Sequence, residues 1–242
     1  MRDVARLVGP DAVHSAVYAD PGIFALERAR VFGRTWLYAG HESEVRDPGS
    51  CLARSVAGRP VLLVRDHGGT LRAFHNRCPH KGARLVEDGA GPIRQFRCPY
   101  HAWSFDLTGQ RLSVPMRDGY DDTGLDACLW AGRLAEVARV HDYRGFLFVA
   151  FAPDVAAFET HAAGILHVFD DMVDRAPGGR LSVASRPYRI RMRANWKLYI
   201  ENLQDTVHPH AAHESAMDAA QGILDALEGP VPFRAMLSSN LN

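Results

Sequence analysis

Short apolar runs broken by glycine fill the chain from Trp36 to about Phe151, and segments with a helical period flank them. On the N-terminal side, Ile23, Phe24, Leu26, Ala29, Val31 and Phe32 follow Asp20-Pro21-Gly22. An aspartate before a proline suits an N-cap and a first turn, so one amphipathic helix is predicted from Pro21 to near Gly33. Residues 51–56, 61–65, 71–75, 93–97, 103–107 and 143–151 read as strands, with turns at His67-Gly68-Gly69-Thr70 and Leu107-Thr108-Gly109-Gln110. Val155, Phe158, Ile165, Leu166, Phe169, Met172 and Val173 then predict a helix over 154–175, ended by Pro177-Gly178-Gly179. A strand is expected over 181–192, and the stretch 229–242 is turn-rich. The pattern is that of an α+β protein with an antiparallel β-domain in its middle.

Composition narrows the function classes. The 242 residues suffice for one large or two modest domains with real cores. The 28 basic side chains are balanced by 28 acidic ones, so no long-range field favours nucleic acid or an anionic membrane. Arg189, Arg191 and Arg193 cluster, but alternation along a strand accounts for them. The opening residues lack a basic start followed by an apolar run, and no stretch is apolar for long enough to span a bilayer; a cytoplasmic protein is expected. In a reducing compartment Cys51 and Cys128, which have no signature spacing, read as small buried thiols.

The remaining cysteines carry the chemistry. Cys78-Pro79-His80 and Cys98-Pro99-Tyr100-His101 are two short words, each offering one soft thiolate and one imidazole, with seventeen residues between them. A two-iron, two-sulfide cluster with unequal irons needs that mixture: Cys78 and Cys98 for one iron, His80 and His101 for the other. A structural zinc site also takes four such ligands, but it normally pairs like residues within one knuckle. Pro79 and Pro99 suit tight loops whose remaining amides can point at sulfur, and Gly82 and Gly109 stand where the chain must turn around or behind the cluster.

These words, with Lys81-Gly82-Ala83 and Trp103-Ser104-Phe105-Asp106-Leu107-Thr108-Gly109, resemble the Rieske iron–sulfur domain in the form found in ring-hydroxylating oxygenases. The resemblance implies an ISP-like antiparallel β-fold. Ala102 departs from it, because the family usually has glycine after the second histidine.

A second constellation, Asp205, His208 and His213, lies in NWKLYIENLQDTVHPHAAHES. On a straight helix Asp205 and His208 would share a face, but His208 and His213 would stand about 140° apart. Pro209 would clash with the carbonyl of Asp205 and kink the helix there. Taken alone, these are equally readable as ordinary polar helix residues. The segment resembles the mononuclear iron motif of Rieske oxygenases, including Asn195-Trp196-Lys197 and Glu201-Asn202. The resemblance implies His208 and His213 as ligands to Fe(II), and Asp205 as a bridge that hydrogen-bonds His208 and a cluster histidine of a neighbouring subunit. His210 has no place in that motif.

The family's third iron ligand is an aspartate far downstream. The nearest carboxylates after His213 are Glu214, Asp218, Asp225 and Glu228, and Asp218 would point away from the histidine pair if the helix continues. The resemblance therefore implies a catalytic (alpha) subunit lacking its C-terminal part. Its expected parts are an N-terminal helical segment (1–35), a Rieske domain (36–155) and the front portion of a helix-grip α+β catalytic domain (156–242). It further implies electrons from a reductase, directly or through a ferredoxin, O2-dependent hydroxylation of an aromatic substrate, and a homotrimer or α3β3 assembly. Two other classes stay open: a Rieske-type electron-transfer protein without its own oxygenase site, and a zinc-stabilised interaction module.

Overall fold

The computed structural model describes residues 4–125, 127, 132–185, 188 and 190–228. In chain order the described elements begin with helices α1 (Ala16–Ala19) and α2 (Pro21–Arg30). Strands β1 (Trp36–His41), β2 (Ser50–Val56), β3 (Arg59–Arg65), β4 (Leu71–His75) and β5 (Gly89–Pro92) follow. Then come β6 (Phe96–Arg97), β7 (Ser104–Phe105), β8 (Arg111–Ser113), β9 (Arg139–Tyr143) and β10 (Phe146–Ala150). The later helices are α3 (Phe158–His161), α4 (Leu166–Asp174), α5 (Trp196–Gln204), α6 (His208–Ala212) and α7 (Glu214–Glu228). The described residues divide into two compact units, one drawn from 25–188 and the other from 1–24 together with 189–242. No described helix is long and apolar enough to cross a membrane.

The 25–188 unit is a stack of antiparallel sheets, ordered β4-β3-β2-β5, β1-β10-β9 and β6-β7-β8. Strand alternation builds the layers. Leu62 and Val64 of β3, with Cys51 and Ala53 of β2, face a core shared with Phe96, Phe105, Trp103, Cys78 and Cys98. Val61, Leu63 and Leu52 face the opposite core, which Ala39, Leu147 and Val149 complete. β3 is thus covered on both faces, which is why it reads as an unbroken Val-Leu-Leu-Val run. On β10 the same period sends Phe148 and Ala150 outward, where Phe158, Ala162, Leu166 and Phe169 of the following helices cover them. The whole lattice serves to hold two loops, one after β4 and one between β6 and β7.

The helix start at Asp20 is as expected: its Oδ1 accepts from the Gly22 amide at 2.7 Å and from the Ile23 amide at 3.4 Å. Other expectations change. The strand expected over 143–151 is the second arm of a hairpin whose turn, Arg144-Gly145, has φ of 51° and 93°. Two consecutive positive φ values match the twist of the flanking strands, and Asp142 Oδ1 accepts from the Gly145 amide at 2.8 Å. The helix expected over 154–175 is two helices, with Gly164, a poor helix former, in the interruption. The expected strand over 181–192 is not formed among its described residues, where no neighbouring strand offers a ladder. Cys128 lies outside the described residues, whereas Cys51 is buried, and burial pushes its thiol up to about 12.

Candidate metal centres

The two loops close in the same way. In the first, the Cys78 amide donates to the Ala83 carbonyl at 2.8 Å and the Gly82 amide donates back to the Cys78 carbonyl at 2.9 Å. In the second, the Cys98 amide donates to the Trp103 carbonyl at 2.8 Å and the Ala102 amide to the Cys98 carbonyl at 3.0 Å. Gly82 and Ala102 therefore occupy equivalent positions, and both are left-handed, at φ 71° and 55°. A Cβ on Gly82 would meet nothing within 4 Å, so backbone conformation and not crowding calls for glycine there. Gly109 differs: its φ is 86°, and a Cβ would stand 2.7 Å from the Phe74 ring behind the second loop.

Ala102 holds its left-handed φ at a cost of about 1–2 kcal/mol relative to glycine. Ala102→Gly releases that cost but gives back about 0.4–1 kcal/mol through a freer unfolded chain. The expected outcome is a net stabilisation of up to about 1.5 kcal/mol in chemical denaturation, with the cluster absorption unchanged. A destabilised variant would contradict the strain.

The loops bring like ligands together. Cys78 and Cys98 are 3% and 2% exposed, and their sulfurs face each other closely enough to interact. Burial pushes the Cys78 thiol up to about 11; the His80 amide opposes that rise and the neighbouring Cys98 sulfur adds to it. Two buried thiols side by side become thiolates only if a cation compensates them. The His80 and His101 rings lie 4.6 Å apart at 66°. Burial, then the His101 and Lys81 charges, hold His80 below the ordinary imidazole range, which keeps it in the neutral form that ligates metals. Its Nδ1 is buried and has no hydrogen-bond partner among the described residues, an orphan that a metal would satisfy. The His80 ring stacks on Trp103 at 4.7 Å, with the planes 1° apart, and the His101 ring lies against Tyr100 at 3.8 Å. Cysteine beside cysteine and histidine beside histidine fits a two-iron cluster with unequal ends better than a single zinc ion. Among the described residues, no three or more His, Cys, Asp or Glu side chains converge as a site for one ion.

Sequence reasoning missed the residue that shapes the first loop. Asn76 is 1% exposed. Its Oδ1 accepts from the amides of Leu85 at 2.9 Å and Val86 at 3.1 Å, and its Nδ2 donates to the Val86 carbonyl at 2.7 Å. These bonds draw the far end of the loop back beneath Cys78. His75 and Arg77, just before Cys78, line a cleft beside it. Burial, then the Arg59 and Arg77 charges, hold His75 below its ordinary range.

The second constellation lies in the other unit. α5 ends at Gln204, and Asp205, extended at ψ 111°, leaves it. The Asp205 carboxylate then caps the next helix, accepting from the Val207 amide at 2.8 Å and the His208 amide at 3.2 Å. Those two amides hold its carboxyl below the usual range. The expected kink is thus a fresh start: Pro209 sits in the first turn of α6, where its missing N–H costs nothing. The break brings the His208 and His213 rings to 5.5 Å. His208 Nδ1 lies 3.4 Å from Asp205 Oδ2, and its Nε2 lies 3.2 Å from Asn202 Nδ2. His208 Nδ1 is buried without a hydrogen-bond partner among the described residues, so the Asp205 carboxylate is a near neighbour of the ring at 3.4 Å and Asn202 is its bonded partner at Nε2. Asn195 and Glu201 do not join this pair. Asn195 caps α5 and donates to the Tyr18 carbonyl at 3.0 Å, and Glu201 accepts from the Tyr18 hydroxyl at 2.8 Å.

Residues 35–128 match the Rieske [2Fe-2S] domain family. The biphenyl dioxygenase alpha subunit of Metapseudomonas furukawaii is 33% identical over 216 residues, covering 86% of this chain and 45% of that protein. The oxygenase subunit of glycine betaine monooxygenase from Chromohalobacter salexigens is 34% identical over 211 residues, covering 87% and 45%. The crystal structure of naphthalene 1,2-dioxygenase from Rhodococcus sp. bound to indole superimposes with a TM-score of 0.78 at 30% identity, covering 90% of this chain and 49% of that one. The chain spans about half the length of the relatives it matches. It carries a Rieske [2Fe-2S] domain and is homologous to the alpha subunits of aromatic ring-hydroxylating dioxygenases.

Proposed function

We propose that this chain is the electron-accepting and iron-binding portion of a Rieske non-haem iron oxygenase that hydroxylates an aromatic compound. The observation that carries this reading is the pair of matched loops placing Cys78 by Cys98 and His80 by His101, in a chain that also pairs His208 with His213. Cys78 and Cys98 would hold one iron of the cluster and His80 and His101 the other, while His208 and His213 would hold a mononuclear Fe(II). When bound, the cluster supplies one-electron transfer and the mononuclear iron supplies O2 activation.

The protein's part is orientation. Asp205 stands 3.4 Å from His208 Nδ1, beside the ring that would hold the iron. Its depressed carboxyl stays ionised at neutral pH, ready to accept an N–H from a cluster histidine of a neighbouring subunit in a homotrimer or α3β3 assembly. A reductase, directly or through a ferredoxin, would supply the electrons. On this reading residues 36–155 are the Rieske domain, and 156–242 belong with 1–35 to the catalytic portion. The ties from Asn195 and Glu201 to Tyr18 support that grouping. The aromatic assignment follows the biphenyl and naphthalene enzymes. The glycine betaine relative makes a quaternary ammonium compound the competing result of a substrate-depletion assay.

Iron and sulfide analysis after anaerobic reconstitution tests the reading. The expected result is two irons with two sulfides and a further iron that His208→Ala removes. An electron-transfer protein without its own oxygenase site is the second reading. It is favoured by the absence, among the described residues, of a third His, Cys, Asp or Glu converging on His208 and His213. Two irons alone, unaffected by His208→Ala, would select it.

A further inference from the structure

A cavity of about 200 Å³ lies between α2 and the β2–β3 turn, lined by Ala25, Arg28, Ala29, Phe32, Ala57 and Arg59. The helix side follows from spacing: Arg28, Ala29 and Phe32 come three, four and seven residues after Ala25, so all four share one face, and the alanines leave room beside it. The turn closes the other side. Ala57 and Gly58 are both left-handed, at φ 47° and 76°, and the strand that leaves them begins with Arg59.

Two guanidinium groups therefore enter one small space from different elements. That of Arg59 lies 4.3 Å over the Phe151 ring, which stacks on His75 at 5.9 Å, so it is held in place before any ligand arrives. That of Arg28 reaches over the turn, 4.0 Å from where a Cβ on Gly58 would stand. Arg34 is paired with Asp154 and Arg54 with Glu44, but among the described residues neither Arg28 nor Arg59 has a carboxylate partner. The unneutralised charge is felt nearby: burial first, and then the Arg59 charge, hold His75 below its ordinary range.

We infer that this cavity binds a small organic carboxylate with a flat apolar body, the carboxylate between Arg28 and Arg59 and the body against Ala25, Ala29 and Phe32. A guanidinium meets a carboxylate in two parallel hydrogen bonds, and the alanines and the phenylalanine offer the rest of the ligand an apolar wall. An inorganic anion would use the first feature and not the second. Roughly 150 Å³ is enough to hold benzene, so a single ring fits the space. The site lies wholly within the 25–188 unit and uses none of the cluster or mononuclear-iron ligands, so it stands independently of the proposed function.

Titration of the cluster-loaded chain with 4-fluorobenzoate, followed by fluorine NMR of the ligand, tests the inference. The expected Kd is on the order of 1 mM, because Arg28 is exposed and water competes for its charge. Arg28→Ala and Arg59→Ala should each weaken binding about tenfold, the loss of one charge-assisted pair. Arg28→Lys, which keeps the charge without the planar fork, should restore only part of it. Ala29→Leu, which fills the cavity from an exposed helical position, should abolish binding with the cluster absorption unchanged. Inorganic phosphate should displace the ligand only at about tenfold higher concentration. If Arg59→Ala fails to fold once its packing on Phe151 is lost, Arg28→Ala decides alone. No binding by the wild-type chain, or wild-type affinity in Arg28→Ala, would overturn the inference. Binding lost in His208→Ala but kept in Arg28→Ala would also overturn it, by placing the ligand at the mononuclear-iron site. Phosphate competing as an equal, or neutral fluorobenzene binding as well as fluorobenzoate, would contradict the ligand class.

Discussion

Asn76→Ala is expected to cost about 3–5 kcal/mol and to leave less than half of the purified protein with a cluster. The side chain satisfies two amides and one carbonyl nine and ten residues away, and the Leu85 amide among them is buried. Each such group left unpaired costs about 1–3 kcal/mol, and water can recover part of this only at the half-buried Val86. Set against a typical domain stability of about 5–15 kcal/mol, the loss is large. It also falls on the loop that carries Cys78 and His80. Asn76→Asp gives a sharper control, since it retains the acceptor, loses the donor to the Val86 carbonyl and places an unpaired carboxylate where the native residue is 1% exposed. It should be no more stable than the alanine variant. A denaturation midpoint and a cluster content equal to wild type in Asn76→Ala would show that the first loop does not depend on this network.

His101→Cys is expected to retain a two-iron cluster and to lower its midpoint potential by on the order of 200 mV. A thiolate in place of a neutral imidazole adds negative charge next to the iron that is reduced, and clusters with four thiolates lie several hundred mV below those with two imidazoles. The His101 ring sits 4.6 Å from His80 and 3.8 Å from Tyr100, in a loop closed by backbone hydrogen bonds, so the smaller residue does not have to hold the loop shut. A redox titration followed by visible absorption reads the shift. An unchanged midpoint would count against His101 as a ligand.

The cluster site was legible because its information is local. Each word sets its ligands within four residues, and the prolines and Gly82 announce the tight loop around them. Even the departure at Ala102 marked a real feature, the second left-handed position. Asn76 was not legible, because its partners, Leu85 and Val86, are fixed by the loop's path and not by any spacing in the chain. The Arg144-Gly145 turn was hidden for another reason: an arginine at φ 51° is a poor turn signal, so the alternation seemed to run on through it. The strand expected over 181–192 failed because alternation predicts a face and not a partner. At Asp205 the sequence located the break correctly but misjudged its form. A proline that would kink a continuous helix is equally suited to start a new one, and the Asp205 carboxylate, by capping α6, decides between the two.

The proposed function requires two histidines at one end of the cluster and two cysteines at the other. Electron paramagnetic resonance of the reduced, reconstituted chain, with nitrogen couplings resolved by electron–nuclear double resonance, tests that claim most directly. The prediction is a rhombic [2Fe-2S] signal with two strongly coupled nitrogens, of which His80→Cys and His101→Cys each remove one. A colourless protein that takes up zinc, or a cluster signal without nitrogen coupling, would contradict it.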